Sequence, residues 1–303
     1  MRPTAGGTNH RVGIRHLGGK AAVVTGAANG IGRALALQLW ATGCDLALVD
    51  IDQDALAALH RQLPDTGRDQ TATAHVADVG SRLRMQELAR EVADAHGNVH
   101  LLINSAGVAH EAAFAQMSLD DWDRIVGANL WGVIHACHFF LPHLAKADRG
   151  HIVNISSMLG IIAMPGQTGY GTTKFAVRGF SEALAEELRA TSVGLTLVYP
   201  GAVATSIMKR GGADDPQLIE DLSKWYERNA MPPERVAARI VRAIEKGTPR
   251  VLIGPETFVG DWLRRLMPLA GNRLMVDAVI RLLGVGYMRD RRIKRWNETM
   301  VDR

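Results

Sequence analysis

Short runs of Ala, Val, Leu and Ile alternate along the chain with longer stretches whose apolar residues recur every three or four positions. The short runs at 21–25, 45–49, 71–76, 99–103, 150–156 and 194–198 predict strands, and the longer stretches at 31–41, 53–62, 82–96, 122–141 and 170–190 predict helices. Strand and helix in strict alternation mean parallel pairing, because parallel neighbours need a long return connection and a helix supplies it with right-handed sense. Leu101-Leu102-Ile103 and Ile152-Val153 are apolar at consecutive positions, which suits strands covered on both faces. The predicted fold class is therefore α/β, a doubly wound Rossmann-type parallel sheet with helices on both faces.

Three segments leave this alternation. Residues 1–18 carry Gly, Pro, Arg and His without an apolar run of signal-peptide length and read as a flexible tail. Residues 202–233 are polar and rich in Gly, Asp and Pro, and they follow a strand, where ligand-covering lids of such sheets lie. Beyond the main domain at 19–250, an amphipathic basic C-terminal extension at 251–303 shows two helical patterns around 258–267 and 274–283, then Arg289, Arg291, Arg292, Lys294 and Arg295. Such an extension either packs on its own domain or a sister subunit, which is the simpler expectation, or makes peripheral contact with an anionic membrane.

Composition narrows the classes further. With 47% hydrophobic and 22% charged residues the chain is neither disordered nor membrane-spanning, and no run of about 18 apolar residues offers a transmembrane segment. Cys44 and Cys137 are the only cysteines, which excludes a disulfide framework and a cysteine zinc site and makes a reducing, cytoplasmic location the expectation. Lys plus Arg exceed Asp plus Glu by only 35 to 31, too thin a margin to argue for nucleic acid.

The candidate chemistry begins where the first strand meets its helix. Thr25-Gly26-Ala27-Ala28-Asn29-Gly30-Ile31-Gly32 is a glycine-rich turn whose backbone N–H groups can approach a diphosphate at the positive end of a helix. Asp50 closes the second strand eighteen residues after Gly32, where a carboxylate either accepts hydrogen bonds from an adenosine ribose or caps a turn. On the ribose reading it repels a 2′-phosphate, so NAD is favoured over NADP; Arg33 is the nearby residue that argues otherwise. Tyr170 and Lys174 stand at i and i+4 of a predicted helix, and an ammonium beside a phenol favours the phenolate by about 1.4 kcal/mol per pKa unit. Ser157 lies thirteen residues before Tyr170 at the end of an apolar strand, and Asn129 interrupts a helical pattern in which Asn is a poor former.

Taken in order, these motifs resemble the short-chain dehydrogenase/reductase family in its form of roughly 250 residues, over about residues 19–250. The resemblance implies that the turn holding Gly26, Asn29, Gly30, Ile31 and Gly32 binds the cofactor diphosphate, that Asp50 selects NAD, and that Asp78-Val79 meets the adenine. It implies that Asn104, Ala106 and Gly107 support the sheet against the cofactor, with Ser105 where the family often has a second Asn. Pro200, Gly201, Val203 and Thr205 would face the nicotinamide end. The family's catalytic residues fall on Asn129, Ser157, Tyr170 and Lys174: Tyr170 as acid or base, Ser157 polarising the substrate oxygen, Lys174 lowering the tyrosine pKa and holding the nicotinamide ribose, Asn129 anchoring a relay water. Ser156 is a rival to Ser157 that the thirteen-residue interval disfavours. A homo-oligomer, dimer or tetramer, is expected by the same likeness.

The apolar stretch 158–165, with Ile207, Met208, Trp225 and Tyr226 in the lid, argues for a small apolar alcohol or ketone as partner in place of a sugar or an acid. His135, Cys137, His138 and His143 scatter around one helix, so no metal is expected. The alternatives are a non-catalytic NAD-binding regulator, which has no need of all four catalytic positions, and an epimerase or dehydratase on the same scaffold.

Overall fold

The computed structural model describes residues 12–207 and 216–282. Seven parallel strands form one sheet in the order β3-β2-β1-β4-β5-β6-β7. They are β1 (Ala21–Thr25), β2 (Asp45–Asp50), β3 (Ala72–Val76), β4 (Val99–Asn104), β5 (Gly150–Ile155), β6 (Val193–Pro200) and β7 (Arg250–Ile253). Central strands β1 and β5 are buried at every position, whereas the edge strand β3 is largely open to solvent, as covering on both faces dictates. The order reverses between β1 and β4, and loops leaving the carboxyl ends of those two strands part there to open a crevice.

Helices α1 (Gly30–Thr42) and α2 (Gln53–Gln62) cover one face together with a helix at Pro233–Lys246. The opposite face carries α3 (Arg82–His96), α4 (Leu119–Val126), α5 (Gly132–Lys146) and α6 (Thr168–Leu188). Side-chain caps start three of them where the chain leaves a strand: Asp52 accepts from the Ala55 amide, Ser81 from Arg84 and Ser118 from Asp121. The continuous helical stretch Leu119–Lys146 is long and apolar enough to cross a membrane by length and composition. Its apolar content serves the sheet, since Val133, Ala136, Phe140 and Leu144 are buried in the core of that face.

Three elements go beyond the expected ones. The stretch read as a lid loop contains α7 (Pro216–Asn229), followed by α8 (Pro233–Lys246) and the edge strand β7. Leu218, Leu222, Trp225 and Tyr226 recur at helical spacing, a signal that the surrounding Gly, Asp and Pro mask. Residues 12–18 do not run free: Ile14 and Leu17 are buried, the Ile14 amide donates to the Ile244 carbonyl (3.2 Å), and the Val12 carbonyl meets His151 Nδ1 at 2.9 Å. Residues 1–11, Met208 and the basic stretch 289–295 lie outside the described residues.

The C-terminal extension forms two helices, α9 (Pro255–Leu266) and α10 (Ala270–Leu282). Arg250 of β7 binds Asp261 of α9 through two hydrogen bonds of 2.6 and 3.0 Å, and Thr257 donates to the Ile253 carbonyl. The extension is thus fastened to its own domain, while Phe258, Val259, Trp262 and Leu266 along the outer side of α9 remain exposed.

Candidate active site

The crevice at the strand reversal is a cavity of about 1930 Å³ that runs from Asp50 and Asp78 at one end to α10 at the other. At its first end the walls are backbone. The Thr25 hydroxyl accepts from the amides of Ser105 (3.1 Å) and Ala106 (3.2 Å), tying the end of β1 to the loop after β4. Gly26 has φ +65°, and a Cβ there would stand 2.8 Å from Ala106 Cα; at Gly32 a Cβ would stand 2.1 Å from the Gly26 carbonyl oxygen. Only glycine permits this closure of strand, turn and helix. Gly26, Asn29, Gly30 and Ile31 face the cavity, and Gly32 lies behind them as the contact that lets α1 approach.

Asp50, 8% exposed, accepts from the Ala28 amide (2.9 Å) and the Asp52 amide (3.1 Å), so its carboxylate is locked at the rim of the cavity beside the glycine turn. Both the ribose and the turn-forming readings of Asp50 are thus compatible with one geometry. The Arg33 guanidinium donates to Gln62 at 2.7 Å. Asp78 accepts from the Gly80 amide (2.8 Å) and with Val79 borders the same end. Ala106, Gly107, Pro200, Gly201, Val203 and Thr205 line the middle. Asn104 is not brought to the cavity: its amide donates to Asn154 (2.8 Å) and to the Cys137 sulfur, and Asn154 donates to Ser181 (2.9 Å), a buried chain that braces β4 and β5. Burial pushes the Cys137 thiol up to about 12, and His135 Nδ1–H donates to the Val79 carbonyl (3.2 Å), so these two serve the fold. Among the described residues no group of three or more His, Cys, Asp or Glu is placed to hold a metal ion.

The second end carries the candidate reactive side chains. Ser157 follows β5, and its hydroxyl accepts from the Leu159 amide (3.1 Å), which starts the 3₁₀ turn Met158–Gly160 and aims the residue into the cavity. Ser156, its rival, donates to the Lys174 carbonyl at 2.9 Å and serves the helix backbone. Tyr170 and Lys174 project from adjacent turns of α6, with Lys174 Nζ 5.4 Å from the centre of the phenol ring and donating to the Ile155 carbonyl at 3.1 Å. The Ser157 hydroxyl stands close enough to the Tyr170 phenol to pull its pKa down, and both line the cavity.

The electrostatics differ from the expected acidic phenol. Burial pushes Tyr170 up to about 12, against the Ser157 hydroxyl that pulls it down, and burial pushes Lys174 down to about 8. Lys174 has a carbonyl and a ring face as its neighbours, so both charged forms lose hydration together and desolvation outweighs the attraction between them.

Asn129 lies deeper in the fold. It sits in a π-helical turn, Gly127–Trp131, between α4 and α5, fully buried behind the cavity wall. Its amide donates to the Val108 carbonyl (2.9 Å) and the Thr173 hydroxyl (3.1 Å), and its oxygen accepts from the Val108 amide (2.8 Å). Both side-chain N–H groups are committed, so the side chain fixes the Val108 loop against α6. The widened turn explains how an unfavourable residue is kept inside a helix.

Four residues escaped the sequence reading. Gln167 donates to Glu111, 6% exposed, at the cavity edge. Glu256 accepts from the Ala202 amide (2.9 Å) and so braces the Pro200-Gly201 turn. Asn272 of α10 bonds the backbone of Ala163. None belongs to a periodic or motif-like pattern; each meets its partner only across 50 or more residues of chain. Trp225 and Tyr226 of α7 and Ile207 do line the cavity, as expected of the lid.

A family model described as short chain dehydrogenase matches residues 20–216. A Mycobacterium tuberculosis protein named SadH, described as an oxidoreductase, is 38% identical over 265 residues, covering 86% of this chain and 95% of its own. The 3-oxoacyl-[acyl-carrier-protein] reductase FabG of Thermotoga maritima is 32% identical over 194 residues, covering 64% of this chain and 78% of its own. Among solved structures, a short chain dehydrogenase/reductase from Burkholderia phymatum in complex with NAD superposes with TM-score 0.74 at 30% identity, over 83% of this chain and 94% of that one. A metagenomic short-chain oxidoreductase in complex with NADP superposes with TM-score 0.64 at 29% identity, over 78% and 98%.

Proposed function

The chain belongs to the short-chain dehydrogenase/reductase family, whose oxidoreductases act on CH–OH and carbonyl groups, and from that premise we propose hydride transfer between NAD and an apolar secondary alcohol or ketone. The observation that carries this reading is the meeting, in one cavity, of the Ser157–Tyr170 hydroxyl pair and Lys174 with the glycine turn between β1 and α1. The cradle fits a dinucleotide: Gly26, Asn29, Gly30 and Ile31 line it at the start of α1, and the Asp50 carboxylate at its rim opposes a 2′-phosphate. Gly26, Gly30 and Ile31 would hold the diphosphate, Asp50 the adenosine ribose, Asp78 and Val79 the adenine, and Gly107, Pro200, Gly201, Val203 and Thr205 the nicotinamide end. When bound, the nicotinamide supplies the hydride acceptor or donor.

In this reading Ser157 donates to the substrate oxygen and Tyr170 transfers the proton at that same oxygen. A phenol held near 12 is a donor at neutral pH, which suits carbonyl reduction, whereas alcohol oxidation needs the Tyr170–Lys174 pair to release a proton first. The first proton leaves that pair near pH 8, from the buried ammonium, so oxidation accelerates as pH rises through about 8. Asn129 acts by position, holding the Val108 loop and Thr173. The apolar neighbours Met158, Leu159, Met164, Trp225 and Met231 favour a lipophilic substrate.

The test is a panel of lipophilic secondary alcohols and ketones with NAD and NADP. Tyr170→Phe is expected to lower kcat at least about 100-fold while NAD affinity stays within about threefold. Retention of more than a few per cent of the rate would overturn the assignment.

A further inference from the structure

The wall of the cavity farthest from Asp50 is built by α10, which lies wholly outside the 20–216 stretch that matches the family. Asn272 clamps it in place. Its side-chain oxygen accepts from the Ala163 amide (2.8 Å) and its amide donates to the Ala163 carbonyl (3.2 Å), so one side chain satisfies both backbone groups of a residue in the 158–165 segment. That segment joins Ser157 to the helix of Tyr170, so the clamp ties the extension to the reacting centre. Met275 is 5% exposed in the same core, and Gly271 lies so near α9 that a Cβ would stand 2.3 Å from the Leu263 carbonyl oxygen. Helix α10 is therefore seated at two points, by a bidentate polar contact and by close helix packing.

Three of the α10 residues that face the cavity are aliphatic. Val276 and Val279 pack, as Met158 and Met164 do, against the buried core of that face of the sheet, and with Ile280 they line the cavity. Arg273 and Asp277 border the cavity on the same helix. A pocket with the proton-transferring hydroxyls at one point and an aliphatic wall contributed by another part of the chain measures the length of the body attached to the reacting carbon.

Resting on the dehydrogenase reading, we propose that α10 is the specificity wall of this enzyme. The substrate is a secondary alcohol or ketone with an extended aliphatic body whose far end lies against Val276 and Val279. Val279 sets the accepted length, and Asn272 is the positioning residue that keeps the wall seated. Each further methylene buried against such a wall raises kcat/KM by roughly fourfold until the wall is reached.

The experiment uses the full chain, the 2-alkanols from 2-butanol to 2-dodecanol with NAD, and calorimetric binding of the matching 2-alkanones. For the wild type, kcat/KM and ketone affinity rise with length and then level off. Val279→Trp is expected to lower the ratio of kcat/KM for long over short alcohols at least tenfold, and Val279→Ala to move the plateau to longer chains. Asn272→Ala is expected to raise KM for long alcohols about tenfold with a much smaller change in kcat, and Asn272→Asp, which keeps the acceptor for the Ala163 amide, to recover part of that loss. Should Val279→Trp misfold, the plateau shift in Val279→Ala decides. Turnover with a length profile identical in wild type and both Val279 variants overturns the wall and leaves the dehydrogenase reading standing. Ketone binding that shifts with Val279 in a chain without turnover upholds the wall and removes the dehydrogenase. A wild type that neither turns over nor binds any member of the series removes both.

Discussion

The two ends of the cleft are built from different materials. At the Asp50 end the walls are main chain: the Gly26 turn, the Ala28 amide and the Gly80 amide are set by hydrogen bonds to side chains that the sheet itself positions. At the α10 end they are side chains from 158–165, from α7 and from α10, held by apolar packing and one amide clamp. A backbone wall admits no gradation, because a Cβ either fits or collides. An apolar wall changes by degrees, because neighbouring side chains of similar volume can replace one another at modest cost. One end is therefore suited to a constant ligand and the other to a ligand that differs between relatives.

The sharpest way to break this contrast is Gly32→Ala. The new methyl would stand 2.1 Å from the Gly26 carbonyl oxygen and 2.8 Å from its carbon, with Ser105 Oγ at 3.3 Å, so backbone would have to shift. The expected cost is about 3 kcal/mol of stability in urea unfolding, together with loss of dinucleotide binding. A variant as stable as the wild type that still binds would refute the idea that the first end is rigid.

The scaffold shared by both ends can be probed by pH. His151 of β5, the strand that leads to Ser157, is fully buried between the Thr196 hydroxyl (2.8 Å) and the Val12 carbonyl (2.9 Å). Burial holds it down at about 4 against an ordinary 6.5. Between those values the unfolded chain binds the proton and the folded one does not, so stability falls as pH drops from 6.5 towards 4. The full effect amounts to about 3 kcal/mol. His151→Gln should flatten that part of the stability curve; an unchanged slope would show that other groups set it.

The smallest expected effect is at the cofactor rim. Asp50→Ser removes the carboxylate while leaving an acceptor for the Ala28 amide, and should raise the NADP-to-NAD ratio of kcat/KM about tenfold. An unchanged ratio would mean that the carboxylate serves the turn alone.

The ladder of strands and helices up to β6 was legible because both faces of the sheet's centre are covered, so its central strands carry consecutive apolar residues and its helices show a clear stripe. Helices α2 and α3 run over the predicted spans, 53–62 and 82–96. Helix α7 was obscured by the turn-forming residues around it, and β7 is four residues long with a half-exposed pattern that carries no period. Within the site, Tyr170 and Lys174 were legible as neighbours, since adjacent helical turns bring i and i+4 together wherever the helix lies, and with Ser157 they stood out only in the company of the other ordered motifs.

Local order along the chain thus determined the alternating elements, the glycine turn that no larger residue can make, and the spacing of the hydroxyls and amine. Folding decided the rest: that Asn104 braces strands, that Asn129 spends both its donors on neighbouring protein groups, that desolvation drives Tyr170 up and Lys174 down, and that α10 closes the cleft. The reason is range. Propensity and periodicity act over a few residues, whereas hydration and the partner of an amide depend on groups that the folded chain brings together from 100 or more positions away, as Asn272 and Ala163 are.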